Sequence, residues 1–555
     1  MVLLSDPSQT IAMTVITPQK YAQATGGIVS APHFLAAEAG GEVLRRGGNA
    51  IEAAIAVGST LAVVYPHMNG LGGDAFWLIS DGNSESAMGL AAAGPAGHKY
   101  SAHTFCDAHI QEIPFRGGRS ALTVPGIVAG WGTAYDYSRN SWHGSLSWGD
   151  LLETAYEHAL RGFPISPNQT ATLTHYVPVL YKQPGFSHAF MPNGEIPKPD
   201  AVWPQKALGR TIKEIAENGP ESFYQGYLAE KMIKGLRASG SLLTEKDMSS
   251  FRTEWMQPLR VPFGHGEVLN LPAPTQGLAS LMILALLDRF KTSFEDHWGA
   301  DFIHCSVEIT KQVFGWRDQV IADPHYHDFD LSALLKASFL DDIAALIEPR
   351  HIQPSPALDT GAGDTVWFGV ADATGRMVSV IQSLYHEFGC GVVAGDTGVL
   401  WNNRGCAFSL TPGHINILEP GKRPFHTLNP AMYAENKRVQ LAYGTMGGDG
   451  QPQTQAAILM RAKHFGLSLA EAVASPRWLY GRTWGERNAG LRLEHRYPKQ
   501  VYNDLQSWGH MVAWVPDYSD VMGHAGMVGF ANAEKSTFAA ATDPRSDGGV
   551  MGVDI

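Results

Sequence analysis

The chain has 555 residues, 44% of them hydrophobic and 17% charged, and its net charge is −12. This composition suits a globular enzyme, and the length exceeds the roughly 250–300 residues at which a single core stops growing, so two domains or one large layered unit are expected. The acidic balance, without a basic cluster, speaks against a nucleic-acid surface, and no run reaches the ~18 apolar residues of a membrane helix.

The first residues, MVLLSDPSQTIAMTVITPQK, lack a basic start followed by a long apolar core, so a cytoplasmic protein is expected. Residues 27–30 read as a first strand. Residues 32–47 carry the spacing of an amphipathic helix, and 49–64 form a second, stopped by Pro66. Gly70, Gly72 and Gly73 follow between helix and strand. Their spacing matches neither a phosphate loop nor a dinucleotide fingerprint, so turn geometry and packing explain them best. His67, Asn69 and Asp74 beside them are pocket candidates, with structural hydrogen bonds as the alternative.

Further helices are expected over 147–162, 211–219, within 220–240, over 301–316 and over 338–349. Thr244 and Asp247 read as a capping pair. His304, Glu308 and Lys311 fall at helical spacing, but without HExxH or a third ligand they predict surface pairing, not a metal site. Pro354 opens a linker. The four cysteines, Cys106, Cys305, Cys390 and Cys406, make no CxxC pair and no metal-ligand spacing, so structural thiols are expected. No cofactor is expected.

Residues 366–370 and 377–381 are two apolar runs separated by a turn at Ala373, Thr374 and Gly375, which predicts a β-hairpin. Thr365 stands at its mouth. From pattern alone such a residue is structural, since strand starts and turns favour hydroxyls. Helices near Gln453, over 468–474 and over 500–509 follow. Strands are expected at 511–514, 527–531 and 538–541, completing a sheet rather than building a separate domain.

Residues 361–410 resemble the nucleophile region of the gamma-glutamyltranspeptidase family of N-terminal-nucleophile hydrolases. The match runs from Thr365-Val-Trp-Phe-Gly-Val-Ala-Asp372 through Gly389, Gly391, Gly398, Asn402, Asn403 and Phe408. It resumes at Gly421-Lys422-Arg423-Pro424 and at Gly447-Gly448, and its order spans nearly the whole chain. The resemblance implies an α+β, four-layer α-β-β-α fold. It implies a precursor that cuts itself before Thr365, giving a large fragment 1–364 and a small fragment 365–555 that stay together. Thr365 then supplies both nucleophile and base. A hydroxyl needs an adjacent base, and a freed α-amine with a pKa near ~8 is one. Ser383 matches the family's second hydroxyl and is given an orienting role; Gly447 and Gly448 match its oxyanion hole.

The chain also departs from the transpeptidases. Ala91 stands where the family's carboxylate-binding Arg is expected, and Tyr385 and Ala407 stand at its amine contacts. Alanine cannot make the two-pronged contact of Arg with a carboxylate. Arg116, Arg119, Tyr385, His426 and Thr427 are the substrate-binding candidates, with surface salt bridges as the alternative for the two arginines. The segment from Phe408 to Pro424 is shorter than the transpeptidase lid. Together with the words around Pro66 and Gln451, these departures resemble a hydrolase subgroup that includes oxamate amidohydrolase. The expected substrate is a small-molecule amide. Gamma-glutamyl transfer, a glutaryl-type acylase and a noncatalytic scaffold are the alternatives, and homo-oligomerisation stays open.

Overall fold

The computed structural model describes residues 19–106, 110–353, 364–481, 490–531 and 537–555. The expected linker after Pro354 lies largely outside them. The main strands are β1 Tyr21–Ala24, β2 Gly27–Ala31, β3 Asp74–Ser80, β4 Met88–Ala92, β5 Glu254–Met256, β6 Leu259–Phe263 and β7 Gly266–Asn270. They continue with β8 Asp364–Asp372, β9 Met377–Tyr385, β10 Ala431–Glu435, β11 Arg438–Thr445, β12 Ala525–Phe530, β13 Phe538–Thr542 and β14 Gly549–Val553.

These strands form two seven-stranded antiparallel sheets. One runs β1-β13-β12-β11-β10-β7-β6 and the other β14-β2-β8-β9-β3-β4-β5. The hairpin expected around residue 374 is β8 and β9, closed by Asp372, whose Oδ1 accepts from the Thr374 N–H and hydroxyl. It sits inside the second sheet, with β2 on one side and β3 on the other.

Side chains alternate across each strand and sort into three cores. Val366, Phe368 and Val370 of β8 face a helical layer that includes α1 Phe34–Arg45 and α2 Ala50–Val64. Trp367 and Ala371 face the other sheet and join Phe76, Leu78, Leu269 and Val528 between the sheets. Helices α3 Gly277–Phe290, α4 Ala300–Val320 and α5 Gln451–Lys463 cover the outer face of the first sheet. The result is the α-β-β-α sandwich expected of the family. Helix α2 is buried along its whole length and starts on an Asn49–Glu52 capping box, which satisfies backbone donors at its N-terminus.

Trp367 fixes the two sheets against each other near the hairpin mouth. A β-carbon on Gly444 or Gly526 would come within 2.2 Å of its indole. These two glycines are paired across β11 and β12 and form a slot for the ring. The indole Nε1 donates to Ser379 Oγ at 2.9 Å.

Two expectations need correction. The strand at Val512–Val515 joins neither main sheet; it pairs in parallel with Leu491–Glu494 in a separate three-stranded sheet with Trp478–Tyr480. His304, Glu308 and Lys311 are buried, not on a helix surface, and His510 supplies the third group that the sequence did not show. Donor atoms of His304, Glu308 and His510 lie within 4.8 Å of one another. They are occupied as hydrogen bonds. Lys311 Nζ meets Glu308 Oε1 at 2.7 Å, the Gln353 N–H meets Oε2 at 2.8 Å, and His304 Nδ1 lies 2.8 Å from His510 Nε2. The cluster fastens residues 348–353 to α4, just ahead of the segment leading to Thr365.

Candidate active site

Thr365 is the second residue of β8 and is buried. Its Oγ1 has no hydrogen-bond partner among the described residues. Asp364 pairs with Tyr385 and Val366 with Gln382, so Ser383 and Leu384 together oppose Thr365 in a β-bulge. Bulges of this kind re-aim side chains next to active sites. The bulge ends in Tyr385 at φ 85°, a left-handed conformation that is uncommon for a bulky residue. Ser383 Oγ accepts from the Tyr385 N–H at 2.7 Å, which ties the second hydroxyl to this distortion.

The expected oxyanion turn comes to the same end of the sandwich. Trp367 rests on Gly444, while Gly369 lies against Val528 further along. Gly444 lies one residue before the end of β11, and Trp367 two residues after Thr365, so Thr365 and the turn after Thr445 lie toward the same end of the two sheets. Gly447 has φ 120° and Gly448 φ 53°, a backbone course that glycine adopts without steric cost. The turn is held from behind. Gln276 Nε2 donates to the carbonyls of both Gly448 and Thr427 at 2.8 Å. Arg317 Nη1 reaches Gln276 Oε1 at 3.2 Å and Asp449 Oδ1 at 2.6 Å.

Asn402 and Asn403 staple the next segment to the end of β9. Asn402 Nδ2 donates to the Gly72 carbonyl at 2.8 Å, and its Oδ1 accepts from Thr123 Oγ1 and the Arg404 N–H. Asn403 Oδ1 accepts from the His386 N–H at 3.0 Å. This places Arg404 beside β9 and β3. Its guanidinium carbon lies 4.1 Å from the Tyr385 ring centroid, and its Nε lies 3.9 Å from Asp74 Oδ2. Asp74 stands opposite Ser383 in the sheet. Burial pushes the Asp74 carboxyl up to about 7 against the opposing pull of Arg404. The same burial brings Arg404 down to about 10.

The other candidates divide. Thr427 Oγ1 accepts from Arg404 Nη1 at 3.4 Å. His426 packs on Phe76 at 5.0 Å, and neither ring nitrogen has a partner among the described residues. Burial, with Arg404 and Arg423 nearby, holds it well below the usual imidazole range and therefore neutral. Arg116 donates from Nη1 to the carbonyls of Glu387 and Gly389 and lies over the Tyr176 ring; its guanidinium braces the loop after β9. Arg119 is exposed. His67 Nε2 lies 2.7 Å from Asn168 Oδ1, and Asn69 Nδ2 donates to Gln382 Oε1 at 3.2 Å, both structural bonds. Gly72 and Gly73 allow close backbone approach, since their β-carbons would lie 2.2 Å from the Leu400 carbonyl oxygen and 2.4 Å from that of Ser383. Burial pushes the Cys390 thiol up to about 12, which leaves it inert as a nucleophile. Arg404 and Gln276 are the residues that sequence reasoning missed. Arg404 directly follows the Asn pair, and its only sequence signal was that position.

Ala91 and Ala93 line a cleft of about 640 Å³ together with Pro95, Val124, Phe251 and Arg423. Its wall adjoins the site, because the Gly94 N–H donates to Asp74 Oδ1 at 3.4 Å. A surface hollow of about 780 Å³ around Arg260 and Lys437 shares none of these residues.

Residues 36–553 match the profile of the family described as Gamma-glutamyltranspeptidase. The chain belongs to this family. It is 43% identical over 528 residues to an oxamate amidohydrolase proenzyme of Klebsiella pneumoniae, covering 95% of this chain and 98% of that one. It is 39% identical over 529 residues to a glutathione hydrolase-like proenzyme, YwrD, of Bacillus subtilis, covering 95% and 99%. Among solved structures it is similar to a cephalosporin acylase from Bacillus halodurans, with a TM-score of 0.87, 29% identity and 99% of both chains covered. As a gamma-glutamyltranspeptidase-family protein it is a self-processing N-terminal-nucleophile hydrolase. Thr365, the nucleophile expected from the sequence, is the second residue of a central strand.

Proposed function

We propose that the chain cuts itself between Asp364 and Thr365 and then hydrolyses a small acyl amide, oxamate first, to the free acid and ammonia. The observation that carries this reading is the buried Thr365 hydroxyl, which has no hydrogen-bond partner among the described residues, at a bulge opposite Ser383. In the uncut chain the Thr365 nitrogen is a peptide nitrogen and cannot act as a base. Cutting turns it into an amine with a pKa near ~8, positioned on the same residue as the hydroxyl.

The amine takes the Thr365 hydroxyl proton as Oγ1 attacks the amide carbon. Gly447 and Gly448 present backbone N–H groups to the oxyanion, where one such donor is worth roughly 3 kcal/mol. The C–N bond breaks, the amine returns the proton to the leaving nitrogen, and ammonia departs from a threonyl ester. Water, activated by the same amine, resolves that ester. Ser383 orients the nucleophile, and residues 1–364 and 365–555 remain one molecule.

The similarity to an oxamate amidohydrolase proenzyme supports oxamate. Ala91 in place of a carboxylate-binding Arg speaks against gamma-glutamyl compounds. The cleft beside Ala91 supports a second reading, a longer dicarboxylic amide. A competition assay with mature enzyme tests both, using oxamate, glutaryl amides and gamma-glutamyl amides with direct identification of products. Oxalate release from oxamate at the highest kcat/KM is expected. Preference for gamma-glutamyl amides by a large margin contradicts the assignment.

A further inference from the structure

We propose that Arg404 is the carboxylate receptor of the acyl site: it binds the carboxylate next to the scissile amide from the β9 side, in place of the absent arginine at position 91. This deepens the reading above and rests on it.

The first support is the state of the side chain. Arg404 is fully buried, yet its Nε and Nη2 have no hydrogen-bond partner among the described residues. The Nη1 contact to Thr427 is long at 3.4 Å, and Asp74 at 3.9 Å is beyond hydrogen-bond reach. A guanidinium carries five N–H donors in a fixed fork, and burying it with its donors unmet is costly. Arg461 and Arg477 also keep side-chain nitrogens without a partner among the described residues, but each makes short bonds, Arg461 to the Pro476 carbonyl at 2.7 Å and Arg477 to the Gly523 carbonyl at 2.7 Å. Arg317 meets Asp449 at 2.6 Å, and Arg545 holds Glu494 through two contacts of 2.6 and 2.7 Å. Arg404 has the burial of a structural arginine without a hydrogen-bonded carboxylate among the described residues, and a planar carboxylate supplies two matched acceptors.

The second support is position. The guanidinium lies over the ring of Tyr385, the residue paired with Asp364 beside the cut. It also lies beside Asp74, which faces Ser383. Adjacent strands are about 4.8 Å apart, so the backbones of Asp74 and Thr365, separated by one intervening strand, lie about two strand spacings apart. That reach suits an acyl group whose carboxylate adjoins the reacting carbonyl. His426, neutral and with neither ring nitrogen partnered among the described residues, adds a polar wall that does not compete for the cation. Burial favours the protonated form of the Asp74 carboxyl, which in that form donates to a carboxylate instead of repelling it. A fixed cation here also disfavours substrates carrying an ammonium group, which separates this site from one built for gamma-glutamyl amides.

The test compares kcat/KM for oxamate and for its uncharged analogue oxamide, using mature wild type, Arg404→Gln and Arg404→Lys. Wild type is expected to favour oxamate by about a hundredfold or more. Arg404→Gln is expected to lose that preference through oxamate alone, while Arg404→Lys, which keeps the charge but not the fork, recovers part of it. Calorimetric binding of oxalate to the mature proteins is expected to weaken in the same order. An oxamate-to-oxamide ratio within threefold of wild type in both variants overturns the proposal, and an equal loss on both substrates assigns Arg404 a structural role instead. If Arg404→Gln yields no mature protein, the ratio in Arg404→Lys decides. If wild type ignores oxamate and hydrolyses a longer dicarboxylic amide, the assignment to oxamate fails by itself. The ratio between that amide and its methyl ester then decides for or against Arg404.

Discussion

In the proposed mechanism Thr365 is inert until its own backbone nitrogen is freed. Ser383 shares the bulge and accepts from the Tyr385 N–H. Removing its hydroxyl in Ser383→Ala releases the distortion that positions the nucleophile. We expect kcat/KM to fall about a hundredfold, the cost typical of a small misplacement, with Ser383→Thr close to wild type. Asp74 offers a pH test. Its ordinary value of 3.8 is raised to about 7 by burial. A carboxyl that holds its proton more tightly when folded contributes stability fully below its unfolded value. That contribution is lost as pH climbs through about 7. Asp74→Asn removes the titration, so the variant is expected to gain up to roughly 4 kcal/mol relative to wild type above pH 7. The Tm difference between Asp74→Asn and wild type should therefore grow from pH 5 to pH 8.5; a difference equal at both pH values contradicts the account. Thr365, Ser383, Gly447 and Gly448 stood out in sequence because their spacing resembles that of the family, and their roles are part of the proposal. Arg404 did not, because a lone Arg in a coil shows its burial only when β3, β9 and the Asn402–Asn403 staple surround it.

The hairpin β8–β9 is the element on which the site depends, and it was readable because two apolar runs flank an Ala-Thr-Gly turn. Its anchoring was not readable. The slot for Trp367 is made by Gly444 and Gly526, far apart in sequence and paired only in the folded sheet. Gly526→Ala forces a methyl into the indole. A loss of roughly 1–3 kcal/mol is expected, read as a lower Tm, together with slower appearance of the two fragments. An unchanged Tm and cutting rate contradicts the role given to the slot. Long-range pairing likewise hid β14, which closes the second sheet against β2, and sent Val512–Val515 to a small separate sheet. Helix boundaries fared better, since caps such as Asn49–Glu52 and Ser468–Glu471 are local.

The whole molecule is two sheets woven from both sides of the expected cut. β8 and β9, from the small fragment, lie between β2 and β3 of the large one, and β10 pairs with β7. Separating the fragments would expose the cores on both sides of the second sheet, so they are expected to remain associated until denatured. The architecture was legible through the resemblance, whereas strand pairing and the buried His304–His510 contact required coordinates. Denaturing mass analysis of the purified protein, beside Thr365→Ala, tests the central claim most directly. The account predicts two chains, residues 1–364 and 365–555, the second beginning at Thr365, and a single inactive chain for Thr365→Ala. A fully active chain that remains uncut, or a cut that leaves Thr365 inside a fragment, would contradict it.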